Sequence, residues 1–80
     1  KQFEQGRELC ENALALYRGI SPEQPLDEAR CLTTLGILYT ELNDRDKARE
    51  KHERALSLRE KQNVPRDVAE SLIYLGRLYA

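Results

Sequence analysis

The sequence predicts an all-α fold, an antiparallel helix-hairpin solenoid of four helices, and three observations carry that prediction. The phrase TLGILY at residues 34–39 returns as YLGRLY at residues 74–79. Leu35, Gly36, Leu38 and Tyr39 thus find Leu75, Gly76, Leu78 and Tyr79 forty positions on, and Ala29 and Leu32 find Ala69 and Leu72 at the same separation. A second phrase, CENALAL at 10–16, matches HERALSL at 52–58, with Ala13 aligned to Ala55 and Leu16 to Leu58, forty-two positions apart. A fixed period of this size marks a repeat architecture. No stretch alternates apolar and β-branched residues, so no strand is expected.

The first helix is predicted from Phe3 to Ile20. Phe3, Gly6, Leu9, Cys10, Ala13, Leu14, Leu16, Tyr17 and Ile20 recur at the three-and-four spacing of an amphipathic stripe. The stretch GISPEQP then punctuates the chain with Gly, Ser and two prolines. Pro25 suits a first helical position, because it has no N–H to leave unpaired. The second helix carries its stripe from Leu26 through Ala29, Leu32, Leu35, Gly36, Tyr39 and Leu42. Asn43 can adopt the left-handed conformation that ends a helix, and Asp44 can cap the next. The third helix runs from about Arg45 to Lys61, with Ala48, His52, Ala55, Leu56 and Leu58 inward, and Glu50 and Arg54 as an exposed i, i+4 pair. QNVP breaks the chain again, and Pro65 opens a fourth helix through Ala69, Leu72, Leu75, Leu78 and Tyr79. Two kinds of helix alternate, and the chain reads B–A–B–A.

Composition narrows the functional classes. Of the 80 residues, 40% are apolar and 34% charged, against typical values of about 45–50% and 25%. Net charge is −1, with acid and base mixed along the chain. No basic stripe is available to track a nucleic-acid backbone, and no polybasic cluster flanks an apolar face to hold a membrane. The longest apolar run is ILY, so no membrane span or signal-peptide core is expected. Cys10 and Cys31 are too few for a disulfide scaffold, and a reducing, cytoplasmic compartment is the default expectation.

Leu32, Leu35, Gly36, Tyr39, Ala48, His52 and Ala55 together resemble the tetratricopeptide repeat pattern: a large residue, Leu-Gly and Tyr in a first helix, then Ala, an aromatic and Ala in a second. The LND turn before the third helix is similar to the family's Leu-Gly-Asp turn. The period of forty, rather than about thirty-four, resembles a longer-repeat subgroup found in polarity adaptors and bacterial signalling ATPases. Leu32 stands where the family places Trp, Arg45 and His52 stand where it places second-helix aromatics, and its late Pro is missing. The resemblance implies a domain layout of one segment over 1–80. Residues 1–20 would be helix B of a partial repeat, 25–62 a complete repeat and 65–80 helix A of the next, within a longer array. Another helical-hairpin solenoid or a free-standing four-helix bundle is the competing architecture, but a bundle does not require two helices to share a Leu-Gly-x-Leu-Tyr phrase.

Chemistry is sparse. His52 is the single histidine and reads as a packed stand-in for an aromatic. Cys10, Cys31 and His52 are separated by twenty-one residues each, a spacing that matches no zinc motif. The two cysteines read as neighbouring buried thiols across a helix B–helix A boundary, with an oxidation-formed disulfide as the minor alternative. The glycines are isolated and form no phosphate-cradling loop. No catalytic residue, metal or cofactor is expected.

The resemblance implies a protein-protein interaction module, with a partner peptide or helix lying in a concave groove lined by the first helices of successive repeats. Carried over by register, the groove positions are Arg30, Thr33, Ile37, Thr40 and Glu41, then Glu70, Ile73 and Arg77. Chaperone-binding relatives place Asn directly after the family Gly to grip a C-terminal carboxylate. Ile37 and Arg77 stand there in this chain, which argues against that role. The alternative is a structural or self-associating solenoid segment. Leu9, Ala13 and Tyr17 at one end, and Leu72, Leu75 and Tyr79 at the other, are expected as its uncovered faces, because a repeat cannot bury its apolar surface alone.

Overall fold

The computed structural model describes residues 2–20 and 24–79. Four helices run in order: α1 (Gln2–Arg18), α2 (Pro25–Glu41), α3 (Arg45–Gln62) and α4 (Pro65–Tyr79). Among the described residues there is no strand. Residues 21–23 of the GISPEQP stretch lie outside the described residues.

Local chemistry sets the helix ends. Pro25 opens α2 directly after Gln24, and Asp27 and Glu28 complement the dipole in its first turn. At the other end, Asp44 N–H donates to the Tyr39 carbonyl at 2.8 Å and Asn43 N–H to that of Thr40 at 3.1 Å. Asn43 sits at φ 63°. This paired pattern is a Schellman cap. Asp44 also caps α3, its Oδ1 accepting from Lys47 N–H at 3.3 Å. One short turn therefore ends α2 and starts α3, which holds the hairpin tight. Asn63 ends α3 in the same left-handed conformation, at φ 56°.

Each helix packs on its neighbour in sequence, α2 and α3 most extensively. The core is Leu14 of α1, Ala29, Leu32, Leu35 and Tyr39 of α2, and Ala48 and Ala55 of α3. Small residues let the backbones approach: an ideal Cβ on Gly36 would collide with the His52 ring, lying 2.6 Å from its Cδ2 and Cε1. Tyr39 ties α2 back to α1, its hydroxyl donating to Glu11 Oε2 at 2.7 Å. Burial, and then this carboxylate partner, push the Tyr39 phenol above its ordinary pKa. Arg59 ties α3 to α4. Its Nη1 donates to Ser71 Oγ at 2.9 Å and to the Asp67 carbonyl at 3.3 Å, and lies 3.1 Å from Glu70 Oε1.

Several expected inward residues are placed differently. Leu56 and Leu58 are only half-buried, and Phe3 and Leu16 are exposed, whereas Leu9, Leu72 and Tyr79 are exposed as expected of the uncovered faces. Leu75 and Tyr17, expected among the uncovered faces, are instead buried and half-buried respectively. Leu75 lies on the face of α4, with fully buried Ser71, that α3 covers.

Candidate functional site

Four of the expected groove residues meet in one cleft. Ile37, Thr40 and Glu41 from α2 and Arg77 from α4 line it together with Arg45 and His52 of α3 and Tyr74 and Leu78 of α4, around a volume of about 250 Å³. The cleft exists because α3 holds α2 and α4 apart while the short turn delivers Arg45 to its rim. Its floor is aromatic: His52 and Tyr74 stack with ring centroids 5.0 Å apart and planes 7° from parallel. The Arg77 guanidinium lies 5.6 Å over the other ring, Tyr74, within cation–π reach. Thr40 is turned inward along its own helix, its hydroxyl donating to the Gly36 carbonyl at 2.9 Å.

His52 is buried, and its Nδ1 has no hydrogen-bond partner. Burial, and then the Arg59 charge, hold its pKa below the ordinary imidazole value, so the ring is neutral near pH 7. The cleft offers two guanidiniums, one carboxylate, an apolar wall and a flat ring surface. That combination can hold an apolar side chain flanked by an acidic one.

The other four groove positions do not join the cleft. Arg30 is exposed, lies 3.6 Å from Asp27 Oδ1, and borders a smaller cleft between α1 and α2 with Cys10, Tyr17 and Cys31. Thr33 is buried and its Oγ1 lacks a partner, because this turn of α2 lies beside the core residues Ala29, Leu32 and Gly36 rather than on a wet rim. Glu70 is spent on Arg59. Ile73 is exposed on α4, away from the cleft. Register reasoning missed Arg45, Tyr74 and Leu78 and read His52 only as packing. An aromatic three residues before Arg77 was the available signal for Tyr74, since i and i+3 share a helical face.

Cys10 and Cys31 are free thiols, both half-buried beside each other at the α1–α2 boundary. Burial raises both pKa values above the ordinary thiol, with Glu11 adding for Cys10, and Cys10 itself adding for Cys31. Among the described residues, no group of three or more His, Cys, Asp or Glu is placed to hold a metal ion, and no helix is long and apolar enough to cross a membrane.

The family model for the tetratricopeptide repeat matches residues 1–61. The chain belongs to the tetratricopeptide repeat family. No curated protein and no solved structure matches it. The match takes in α1, α2 and nearly all of α3 in this tetratricopeptide repeat chain, and α4 carries the second copy of the Leu-Gly-x-Leu-Tyr phrase just beyond it. Tetratricopeptide repeats generally serve as modules for binding other proteins.

Proposed function

We propose that this chain is a non-enzymatic scaffold or adaptor segment of a longer repeat array, and that the cleft between α2 and α4 takes a partner peptide. One observation carries the reading: Ile37, Thr40, Glu41 and Arg77, carried over by register from the family resemblance, line the same cleft. Exposed Ile37 beside Tyr74 and Leu78 gives an apolar seat, and Arg45 and Arg77 favour an acidic neighbour on the peptide. Main-chain groups on α2 are satisfied within the helix, so side chains set the specificity.

The test is selection of peptides from a displayed random library with the wild-type chain, followed by titration against the double variant Ile37→Ala, Arg77→Ala. The expected result is at least a tenfold loss of affinity with an unchanged helical circular dichroism spectrum. Selected peptides that bind both chains equally would place the binding surface elsewhere. A self-associating role is the second reading, favoured by the uncovered apolar residues of α1 and α4.

A further inference from the structure

The cleft between α2 and α4 carries more positive than negative charge around a neutral ring. Arg45 of α3 and Arg77 of α4 line it, against Glu41 of α2 as the carboxylate among its lining residues. Among the described residues neither arginine enters an ion pair, and Arg77 lies instead over the Tyr74 ring. Arg59, on the same helix as His52, adds a third guanidinium, which Glu70 of α4 offsets at 3.1 Å. Tyr74, stacked on the imidazole, is the remaining titratable group that faces it.

His52 sits in this field with no carboxylate of its own. The residue is 1% exposed, its Nε2 lies toward Gly36, and its Nδ1 has no hydrogen-bond partner. Two effects compete when a ligand covers a basic group. Exclusion of water disfavours the charged form, and a negative charge on the ligand favours it. The first is nearly exhausted here, because a ring so deeply buried has almost no solvent left to lose. The second is unspent. A carboxylate seated between Arg45 and Arg77 offsets their repulsion of an imidazolium and attracts it directly. An acidic ligand therefore shifts the balance toward protonation, and a neutral one does not.

We propose that seating an acidic side chain between Arg45 and Arg77 draws a proton onto His52, so that the cleft holds an acidic partner more tightly as pH falls. The proposal rests on the reading of the cleft as a peptide site, and adds which partner it prefers and in what condition. Linkage fixes the sign. A ligand that raises the midpoint of a base binds its protonated form more tightly, so affinity climbs as pH falls from the bound midpoint to the free one and is flat outside that range. Each unit by which the midpoint rises is worth up to about tenfold in affinity. A partner with Lys or Arg at the same place would show the opposite dependence.

His52 is the one histidine of the chain, so its ring resonances report on it directly in a proton NMR titration from pH 4.5 to 8. The probe is a histidine-free acidic peptide recovered in the selection described above. The control is the same peptide with Asn or Gln in place of its acidic residue, and both are used at saturation. The acidic peptide is expected to raise the His52 midpoint by about one unit, and the control to leave it near its value in the free chain. Affinity for the acidic peptide should rise at least about threefold between pH 7.5 and 5.5 in the wild type, and by less in His52→Gln. If that variant lost its helical spectrum, the wild-type resonance titration decides alone. A midpoint that stays or falls, with a peptide that Ile37→Ala, Arg77→Ala weakens, overturns the coupling and leaves the peptide site standing. A rise of equal size with the control also overturns it, since a rearrangement rather than a charge would then be responsible. Selected peptides without an acidic residue overturn it too. Peptides that bind the double variant and the wild type equally remove the peptide site itself, and the coupling with it.

Discussion

A Cβ placed on Gly36 would stand 2.6 Å from His52 Cδ2 and Cε1, while one on Gly19 would reach only carbonyl oxygens at an ordinary 3.7 Å. Gly36→Leu should therefore cost about 1–3 kcal/mol or more through overpacking. Gly19→Leu should be close to neutral, and Gly76→Leu should gain a fraction of the ~1 kcal/mol by which glycine weakens a helix interior. Thermal melts of the three variants check this order, and equal melting temperatures for Gly36→Leu and Gly19→Leu would sink the packing described here. His52 supplies a second residue-scale prediction. Its folded pKa lies below the unfolded value of about 6.5. Near and below pH 6.5 the unfolded chain takes up a proton that the folded chain refuses, so stability is complete above that pH and falls as pH drops toward the folded value. Urea midpoints at pH 7.5 and 5.5 should separate for the wild type and converge for His52→Gln. Identical slopes for the two chains would show that His52 is not the group responsible.

At the scale of elements, the turn between α2 and α3 was the most legible part of the chain. Asn and Asp each have a local reason to sit there, one tolerating a left-handed backbone and the other capping, and both do so. Asn43→Gly should leave the melting temperature within a few degrees, whereas Asn43→Ala should cost about 1–2 kcal/mol for holding a Cβ in the left-handed region without the local hydrogen bonding of the Asn side chain. Equal stability of the two would mean the turn relaxes to another conformation. The orientation of α4 was less legible. Its apolar periodicity nominates Leu72, Leu75 and Tyr79 alike, but a stripe identifies a buried face only when one neighbour covers it. Here α3 covers Ser71 and Leu75 and leaves Leu72 and Tyr79 bare. What fixes that rotation is Arg59, a charged residue that hydropathy places outside the core, yet which is buried with its Nη1 on Ser71, Asp67 and Glu70. The candidate site followed the same logic. Ile37, Thr40, Glu41 and Arg77 lie on single-helix faces that register can name, while Arg45 reaches the cleft only through how three helices meet. Arg59→Ala should remove charge-assisted hydrogen bonds worth about 1.5–3 kcal/mol. Hydrogen exchange should then show the amides of α4 losing protection before those of α2. Uniform loss across all helices would argue that α4 does not depend on this residue.

For the whole molecule, the repeat relation makes stability additive in a testable way. Stacked repeats behave as a chain of units whose stability is the sum of each unit and its contacts with its neighbours. In the described structure α2 has a helix on both sides, whereas α4 has one on a single side. Ala80 corresponds to Thr40 in the forty-residue relation, so appending a copy of residues 41–62 directly after Ala80 supplies the same turn and the same helix B that α2 receives. The appended His would lie over Gly76, where an added Cβ meets nothing within 4 Å, and its two alanines would cover Leu72. Fully burying an aliphatic side chain of this size stabilises by about 1.5–3 kcal/mol. Covering Leu72 and Tyr79 together should therefore outweigh the ordering of a helix that already forms elsewhere in this chain. A net gain of even ~1 kcal/mol corresponds to a rise in melting temperature of about 4–8 °C at this size. The extended chain should thus melt at least about 5 °C higher than the wild type, and α4 amides should gain protection. An extended chain that melts at or below the wild-type temperature would show that the α4 face does not accept the α3 packing, and that the two Leu-Gly-x-Leu-Tyr helices are equivalent in sequence without being equivalent as docking surfaces.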